Sequence, residues 1–489
     1  MLGHAEVRIE SRGRLMQVPR SFLGLSTEYR DVPLLERRLS AFARVVSLLH
    51  VPGDGRMVFR IGGDSADHSF WDPRAGSAPS WVFKLTPAWL RQTSILVRRV
   101  DAALILDLNL VTGSPSNAAR WAAAAQRRLP HGSIVGFEIG NEPDIYSRRY
   151  WLATVSRTSV AARVLPSTLS AASYTQDFRS YAAALAQVAP RVPLIGPAVA
   201  NPAREMSWIR NLIAGAGPAL GTVSAHRYPF SACANRASRS HPTIARLLGD
   251  RASAGLADSL REAVAVAHRA GLPFRLTELN SVTCGGRSGV SDSFATALWA
   301  PDALFELVRA GVDGVNVHVR ENAINAAFTL TRRGLLARPL LYGLILFVRA
   351  LGTDAQLVNL HLHAERTLGL KVWVVRVASG MLHVLLIDKG NRSISVELRL
   401  PTIGAATVDR LQAPSVRSLS GITLDGRRLG SDGRWRGPAA DETIRPNRRG
   451  YELTLPRMSA ALLDAHLRAG ALALNPPAAT HSGSRPRPS

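Results

Sequence analysis

Short apolar segments with strand character recur eight times between residues 21 and 319, and segments with helical spacing separate them. Strand–helix alternation repeated eight times predicts a (β/α)8 barrel. The clearest helical segments are Leu34–Leu49, Ala172–Val188 with Ser173 as a candidate N-cap, Ser259–Ala270 and Asp292–Ala310. The predicted strands are Ser21–Tyr29, Met57–Asp64, Ala102–Leu110, Ile134–Glu142, Val192–Ala198, Val223–Tyr228, Phe274–Asn280 and Gly314–Val319.

The pattern changes after residue 350, where short β-rich segments are separated by turn residues such as Lys389-Gly390-Asn391. This is typical of an antiparallel β-sandwich. We therefore predict an α/β protein with a (β/α)8 TIM barrel over residues 21–350 and a C-terminal antiparallel β-sandwich over residues 351–472. We expect residues 1–20 to add a strand, Ala5–Glu10, to the sandwich. The tail, residues 473–489, is rich in Pro, Ser and Arg and is predicted to be disordered.

The chain is strongly basic, with 60 Lys and Arg residues against 36 Asp and Glu residues, a net charge of +24. Such an excess favours an acidic partner, and a basic surface without a specific partner is the alternative. The arginines are scattered and no nucleic-acid-binding motif is present, so nucleic acid is not expected as a partner. No segment approaches the roughly 20 apolar residues of a membrane span.

The sequence leaves the cellular compartment open. Met1–Glu10 is polar and charged and shows no secretory signal. The predicted fold begins almost at once, so a signal omitted upstream would make the protein secreted, and without one we expect it in the cytoplasm. Two cysteines, Cys233 and Cys284, are too few for a disulfide scaffold or a tetrahedral cysteine zinc site.

Two glutamates end predicted strands on opposite sides of the barrel. Catalytic groups of such barrels lie at the C-terminal ends of the strands. Glu142 ends the fourth strand and Glu278 ends the seventh. Retaining glycoside hydrolysis needs one carboxyl group as acid/base and a second as nucleophile, about 5 Å apart. The pair therefore predicts a retaining glycosidase, and two surface ion pairs are the alternative.

Other strand ends supply polar residues around this pair. We expect Asp64 and Asn109 to order the barrel mouth, and His226 and His318 to form hydrogen bonds there. No third ligand stands at a zinc-like spacing from the histidines, so we predict no metal and no cofactor. Glu138 is predicted to be a buried partner of Arg60.

The loop after the second strand carries three tryptophans, Trp71, Trp81 and Trp89. These tryptophans are either buried as packing anchors or available to stack on a sugar. Arg74 and Lys84 in the same loop are either solvated or contact an acidic aglycone.

Several segments together resemble glycoside hydrolase family 79, the β-glucuronidase and heparanase group of clan A. The resemblance covers about residues 5–470. The matching segments are Ser21–Glu28, Arg60–Ser65, Phe137–Asp144 with its Asn141-Glu142-Pro143, Thr277–Ser281 followed by Cys284-Gly285-Gly286, and Asp292–Ala295.

The resemblance implies a role for each matching residue. Glu142 would be the acid/base and Glu278 the nucleophile. Asn141 would hydrogen-bond the sugar hydroxyl next to the reacting carbon, Tyr228 would hold the nucleophile by its hydroxyl, and Glu28 would bind outer hydroxyls of the sugar.

The resemblance also implies a carboxylate-binding loop, in which the backbone N–H groups of Gly285 and Gly286 would face a uronate. Family members place a tyrosine just before this glycine pair, where this chain has Val282-Thr283-Cys284. A glycine-rich loop with a second tyrosine is expected after strand eight, where this chain has Val319–Asn325. Arg320 in that segment could replace a tyrosine as the carboxylate partner, or it could pair with a neighbouring acid.

The two cysteines fall in adjacent loops over the site, because Cys233 follows His226 by seven residues and Cys284 follows Glu278 by six. We predict a disulfide that braces the glycine pair and implies an oxidising compartment, with two free buried thiols as the alternative.

The predicted substrate is a carbohydrate with a terminal β-linked sugar, a β-glucuronide or another uronic-acid-containing glycoside or polysaccharide. Two alternatives remain: a clan A glycosidase for a neutral sugar, of the β-glucosidase or xylosidase type, and a catalytically idle protein that binds acidic polysaccharide.

Overall fold

The computed structural model describes residues 2–10, 15–74, 82–146, 169–365 and 367–472. The predictions for Trp81 and for the tail over residues 473–489 lie outside the described residues. Eight parallel strands close into a barrel with neighbours in chain order, which confirms the predicted barrel. They are β1 Leu23–Glu28, β2 Val58–Gly62, β3 Ala103–Leu108, β4 Ile134–Ile139, β5 Leu194–Val199, β6 Leu220–Arg227, β7 Phe274–Leu279 and β8 Gly314–His318.

The strands lie where the apolar runs predict them, because helices cover the outer face of the barrel and both faces of each strand are buried. No helix in the described ranges has the length and apolar character needed to cross a membrane. The helices are Val32–Arg37, Leu39–Leu48, Pro87–Val100, Pro115–Arg128, Ala171–Ala186, Met206–Gly215, Ile244–Leu248, Ala254–Asp258, Arg261–Arg269, Ala295–Arg309 and Pro339–Leu351.

Two of these helices differ from their predictions. The segment Leu34–Leu49 forms two helices, because Arg38 leaves the helical region with φ −117° and ψ 30°. The helix predicted to begin at Ser173 is capped by Ser170 instead. The Ser170 hydroxyl accepts a hydrogen bond from the Ser173 N–H, and the Ser173 side chain bonds back to the Ser170 N–H. This reciprocal pair is a capping box.

The C-terminal region forms two sheets that enclose a second apolar core. The first sheet has the strand order Leu360–Ala364, Gly3–Ile9, Ile394–Arg399 and Tyr451–Leu455. The second has the order Met16–Gln17, Gln356–Leu357, Leu370–Arg376, Met381–Asp388, Ser459–Leu467, Thr402–Gln412 and Thr423–Leu424, with Glu442–Ile444 beside Thr402–Gln412.

One pairing departs from the antiparallel pattern. The N-terminal strand Gly3–Ile9 runs antiparallel to Leu360–Ala364 but parallel to Ile394–Arg399. No hairpin turn connects it to either neighbour, so chain connectivity does not impose an antiparallel direction on it.

The barrel and the sandwich meet through a buried polar contact. Asp302, on the helix Ala295–Arg309, accepts hydrogen bonds from Lys389 and from the Trp373 indole N–H. The Trp373 ring stacks on Phe305 with ring centroids 5.3 Å apart. This joint packs the sandwich against the barrel helix Ala295–Arg309.

Candidate active site

A pocket of about 560 Å³ opens at the C-terminal ends of the barrel strands. Every barrel strand except β3, or the loop after it, contributes to its lining. Eight of the predicted site residues line it: Glu28, Asp64, Glu142, Tyr228, Glu278, Gly285, His318 and Arg320. The two cysteines of the predicted disulfide line it as well.

The floor of this pocket is organised by Arg60, which is completely buried on β2. Its guanidinium binds Glu138 at 2.6 Å through Nε, Asp107 at 2.9 Å through Nη2 and Glu278 at 3.1 Å through Nη1. It also donates to Asn141 Oδ1 at 3.0 Å. A buried charge is tolerated only when it is paired, and three carboxylates from β3, β4 and β7 pair with this one. Arg60 therefore fixes the predicted nucleophile relative to Asn141.

Glu278 is held as a carboxylate by several donors. The Tyr228 hydroxyl donates to Oε1 at 2.5 Å, and Arg60 donates to Oε2. Burial raises the pKa of Glu278, but the positive charges of His318, His226 and Arg60 and the Tyr228 hydrogen bond outweigh it and lower the pKa to about 2. Glu278 is therefore ionised at neutral pH, as a nucleophile must be.

Glu142 lies across the pocket from Glu278 in a different environment. It adopts a left-handed backbone conformation, φ 51°, directly before Pro143. Its Oε1 is 3.0 Å from Nδ1 of His226. One atom each from Glu142, His226 and Glu278 lie within 4.8 Å of one another. This carboxyl spacing is near that of retaining glycosidases and shorter than the spacing of about 6.5–9.5 Å in inverting ones.

The same three residues are the one group in the described chain close enough to ligate a metal ion. Arg60, at 3.1 Å from Glu278, would repel a cation bound there. Glu278 also already accepts hydrogen bonds from Tyr228 and Arg60, and Glu142 contacts His226. The donor set therefore suits two carboxyl groups that act directly on a substrate better than it suits a metal.

Polar groups from β1, β2 and β8 form the wall opposite β5. Glu28 accepts a hydrogen bond from the Ser65 N–H at 2.7 Å and lies 3.8 Å from His318 Nε2. His318 Nδ1 is 3.4 Å from Glu278. Asp64 pairs with Arg320 at 3.5 Å. Burial and the nearby carboxylates raise the pKa of Asp64 to about 8, against the opposing charge of Arg320.

The loop after β7 is fixed at three points. Cys284 forms a disulfide with Cys233, with the two Cα atoms 6.1 Å apart. The short strands Phe230–Ser231 and Val282–Thr283 pair just before the two cysteines. The Ile324 N–H donates to Gly285 O. This loop lies under Arg320, since a Cβ added at Gly285 would be 3.7 Å from Arg320 Nη2.

The predicted pair of N–H groups facing a uronate is wrong for Gly286. Its N–H donates to Thr283 O at 3.3 Å and so closes the turn, and Gly285 alone of the two lines the pocket. Gly286 is required there for another reason. Its φ is +94°, and a Cβ would lie 2.7 Å from the Asn325 N atom.

Besides Gly286, three other predicted residues lie outside the pocket lining: Asn109, Asn141 and His226. Asn109 bonds Ser69 O and the Thr112 side chain, so it orders the loops after β2 and β3. Asn141 is buried beneath the pocket against Arg60. Trp89 is buried as well, and its indole N–H donates to Tyr29 O, which is the role of a packing anchor.

Trp71 packs in the same aromatic cluster as Trp89. Its ring centroid lies 5.6 Å from that of Trp121, and the Arg128 guanidinium lies 5.9 Å from its ring. Lys84 of the same loop pairs with Asp72 at 3.7 Å. The described residues of this loop therefore contribute packing and a surface ion pair.

Sequence reasoning missed two groups of residues. Asp107, a charged residue inside the apolar β3 run, is the third partner of Arg60, and a buried acid in such a run signals a buried cation. Three arginines of the pocket, Arg204, Arg227 and Arg251, were also missed. Arg227 ends β6 and the other two come from separate loops, and no sequence motif links the three.

No protein-family model matches the chain, and no curated protein matches it in sequence. Its structure is similar to that of a 4-O-α-L-rhamnosyl-β-D-glucuronidase from Fusarium oxysporum, with a TM-score of 0.74 and 18% identity, covering 94% of this chain and 99% of that one.

Two further structures share the fold. A family 51 arabinofuranosidase from Xanthomonas axonopodis has a TM-score of 0.67 and 13% identity, and a family 44 endoglucanase from Clostridium thermocellum has 0.59 and 12%. Each comparison covers 95% of this chain and 100% of the other. At these identities the similarity establishes a common fold of a TIM barrel with an added β-domain.

Proposed function

We propose that this protein is a retaining glycoside hydrolase that releases a terminal β-linked glucuronic acid. The observation that carries the proposal is the closeness of Glu142 and Glu278, which end strands on opposite sides of one pocket within 4.8 Å. That spacing leaves room for a glycosidic bond between the two carboxyl groups but not for an additional attacking water.

The reaction proceeds by two displacements. The carboxylate of Glu278 attacks the anomeric carbon while Glu142 gives its proton to the departing glycosidic oxygen. Glu142, now a carboxylate, then takes a proton from a water that attacks the same carbon and frees Glu278. Tyr228 and Arg60 keep the nucleophile ionised and aimed, and His226 orients Glu142 through the 3.0 Å contact.

The choice of a uronate rests on Arg320. It lies above the Gly285 loop on the side of the pocket that carries Glu28 and Asp64, where the hydrolysed sugar would sit. A guanidinium can bind a sugar carboxylate with two parallel hydrogen bonds. The fold is shared with a 4-O-α-L-rhamnosyl-β-D-glucuronidase from Fusarium oxysporum.

A neutral sugar is the second candidate. The fold is shared with an arabinofuranosidase and an endoglucanase, and the 3.5 Å contact with Asp64 gives Arg320 a partner within the protein. In that case Arg320 and Asp64 would bind sugar hydroxyls as a pair.

The test is hydrolysis of four aryl β-glycosides, the glucuronide, glucoside, xyloside and galactoside, by the wild type, by Glu278→Ala and by Glu397→Ala. Glu397 lies on the sandwich strand Ile394–Arg399 and provides the control. We expect turnover of the glucuronide that Glu278→Ala abolishes and Glu397→Ala retains. Turnover of a neutral glycoside alone would keep the catalytic pair and refute the uronate.

The variant Arg320→Ala then distinguishes a uronate substrate from a neutral sugar. If Arg320 binds the carboxylate, the substitution raises KM for the glucuronide by about ten- to a hundredfold, the loss expected for a charge-assisted contact. An equal loss on all four glycosides would assign Arg320 to the structure of the pocket instead. Failure of the wild type on every glycoside would favour the idle polysaccharide-binding alternative, which retention on heparin would then test.

A further inference from the structure

One wall of the pocket carries three arginines. Arg204 follows β5, Arg227 is the last residue of β6, and Arg251 lies just before the helix Ala254–Asp258. All three line the same pocket as Glu142 and Glu278. We call Arg204, Arg227 and Arg251 the arginine wall.

Within the described ranges, no carboxylate bonds or pairs with any arginine of this wall. Arg227 donates to the Ser259 hydroxyl at 3.0 Å and to Tyr228 O at 3.1 Å. Burial lowers the pKa of Arg227, and the positive charges of Arg204 and Arg251 lower it further. Like charges gathered in this way repel one another, and a bound anion would relieve the repulsion.

The acids next to the wall arginines in the chain form no ion pair with them among the described residues. Asp250, directly before Arg251, pairs with Lys371 at 2.6 Å instead. Glu205 follows Arg204 in the chain, and its charge acts on Asp144. Asp144 has its pKa raised to about 7 by burial and by the charges of Glu142 and Glu205, so it carries only part of a negative charge at neutral pH. The wall is therefore the strongly cationic side of the pocket.

The wall lies on the side of the leaving group. Glu142 protonates the departing oxygen, and β4, which precedes Glu142, is followed around the barrel by β5 and β6, which carry Arg204 and Arg227. Glu28, Asp64 and Arg320 come from β1, β2 and β8 on the far side. The hydrolysed sugar and the arginine wall therefore flank the glycosidic bond from opposite sides.

We propose that the arginine wall is a subsite for an oxyanion on the released group, so that the substrate is acidic on both sides of the bond that is cut. Guanidinium groups bind carboxylate and sulfate alike, often through two parallel hydrogen bonds. This inference rests on the proposed glycosidase function, and it adds the chemistry of the aglycone. An acidic polysaccharide or an acidic disaccharide has that chemistry.

The test uses three aryl β-glycosides that share the sugar hydrolysed fastest in the panel above. Their aryl groups are 4-carboxyphenyl, 4-sulfophenyl and the uncharged 4-carbamoylphenyl. We expect the wild type to show a higher kcat/KM for the charged aryl groups, and Arg204→Gln/Arg251→Gln to lower that preference about tenfold, the sum of two partly exposed charge contacts. High salt should lower it as well.

The control is Arg99→Gln/Arg191→Gln, which removes the same charge from the opposite end of the barrel, where both residues are exposed. Because the variants are compared on the same substrates, differences in leaving-group acidity cancel. Melting temperatures check that each double variant is folded, and the single variants replace any that is not.

The outcomes separate this proposal from the proposed function. A preference for the carboxylate or the sulfate that only the wall variant loses supports the subsite and identifies its anion. Equal turnover of all three substrates, or a preference that the wall variant keeps, overturns the subsite and leaves the glycosidase intact. No turnover of any of them overturns both.

Discussion

The floor of the pocket and the arginine wall use the same side chain in opposite ways. Arg60 in the floor is surrounded by Asp107, Glu138 and Glu278 and is completely buried. Arg204 and Arg251 in the wall are exposed, and among the described residues no carboxylate pairs with either. The floor has its counter-charges built in, whereas the wall lacks them.

This difference follows from where the residues stand. The floor is formed by residues on barrel strands, whose backbone is fixed on both sides by hydrogen bonds, so a buried ion network can hold a nucleophile in one position. The wall stands mainly on loops, which are solvated and can present charge to a ligand. Under the proposed function, the floor would hold the nucleophile and the arginine wall would select the substrate.

The largest effect is expected at Glu278. Glu278→Gln keeps the shape of the side chain but removes the nucleophile, and we expect kcat to fall on the order of 10⁴-fold or more. Steady-state kinetics on the aryl glycoside that the wild type prefers measures this. Glu397→Gln should remain active, and a Glu278→Gln variant with more than a tenth of wild-type activity would contradict the assignment.

Arg60→Met tests the floor against the wall directly. It leaves Asp107 and Glu138 buried without their counter-charge, so we expect a loss of about 3–5 kcal/mol in the free energy of unfolding, together with loss of activity. Urea unfolding measures this. Arg251→Met in the wall removes a repelled charge, and its unfolding free energy should be unchanged or slightly raised. Equal losses of unfolding free energy in Arg60→Met and Arg251→Met would contradict the difference between the floor and the wall.

Tyr228→Phe shifts the pH dependence. The hydroxyl lowers the pKa of Glu278, which lies near 2, so its removal raises that pKa and moves the acid limb of kcat/KM to higher pH. We also expect kcat to fall about ten- to a hundredfold. For folding, the depressed pKa contributes stability above the ordinary glutamate value of about 4.3, and this is lost as the pH falls toward 2.

The pH–rate profiles of the wild type and Tyr228→Phe measure that shift. Tyr342→Phe is the matched control, because the hydroxyl of Tyr342 accepts a hydrogen bond from Leu429 N outside the pocket. An acid limb that stays in place in Tyr228→Phe would show that Tyr228 does not tune the nucleophile.

The smallest effect on catalysis is expected at the disulfide. Cys233→Ser/Cys284→Ser frees the Gly285 loop from its anchor 51 residues earlier in the chain. We expect about 2–4 kcal/mol less stability, and a KM for the glucuronide that rises while kcat changes little. Thermal unfolding and kinetics with and without reductant measure both. The outcome that rejects the bracing role is an unchanged KM with lowered stability.

The floor of the pocket was more predictable from the sequence than the loops around the pocket. The eight strands show as apolar runs because both faces are buried, and the strand ends place Glu142 and Glu278 in one pocket without further information. The ion pair between Arg60 and Glu138 was also predictable, since a charge inside a buried strand needs a partner.

The positions of the residues around the pocket depend on loop conformations that the sequence does not specify. The prediction that the Gly286 N–H faces a uronate is wrong, because this N–H donates to Thr283 O within the turn. Arg204 and Arg251 meet at one wall although 46 residues separate them, and only the folded loops show it. Asn109 follows a strand as Glu142 does, yet its side-chain amide donates to Ser69 O and to the Thr112 hydroxyl in the neighbouring loops.

The most direct test of the central claim is the configuration of the sugar at the moment of release. Proton NMR of the first minutes of aryl β-glucuronide hydrolysis distinguishes the two anomers before they interconvert. We expect β-glucuronic acid to appear first, because Glu278 and Glu142 act by two displacements across one short gap. Release of the α anomer first would contradict it.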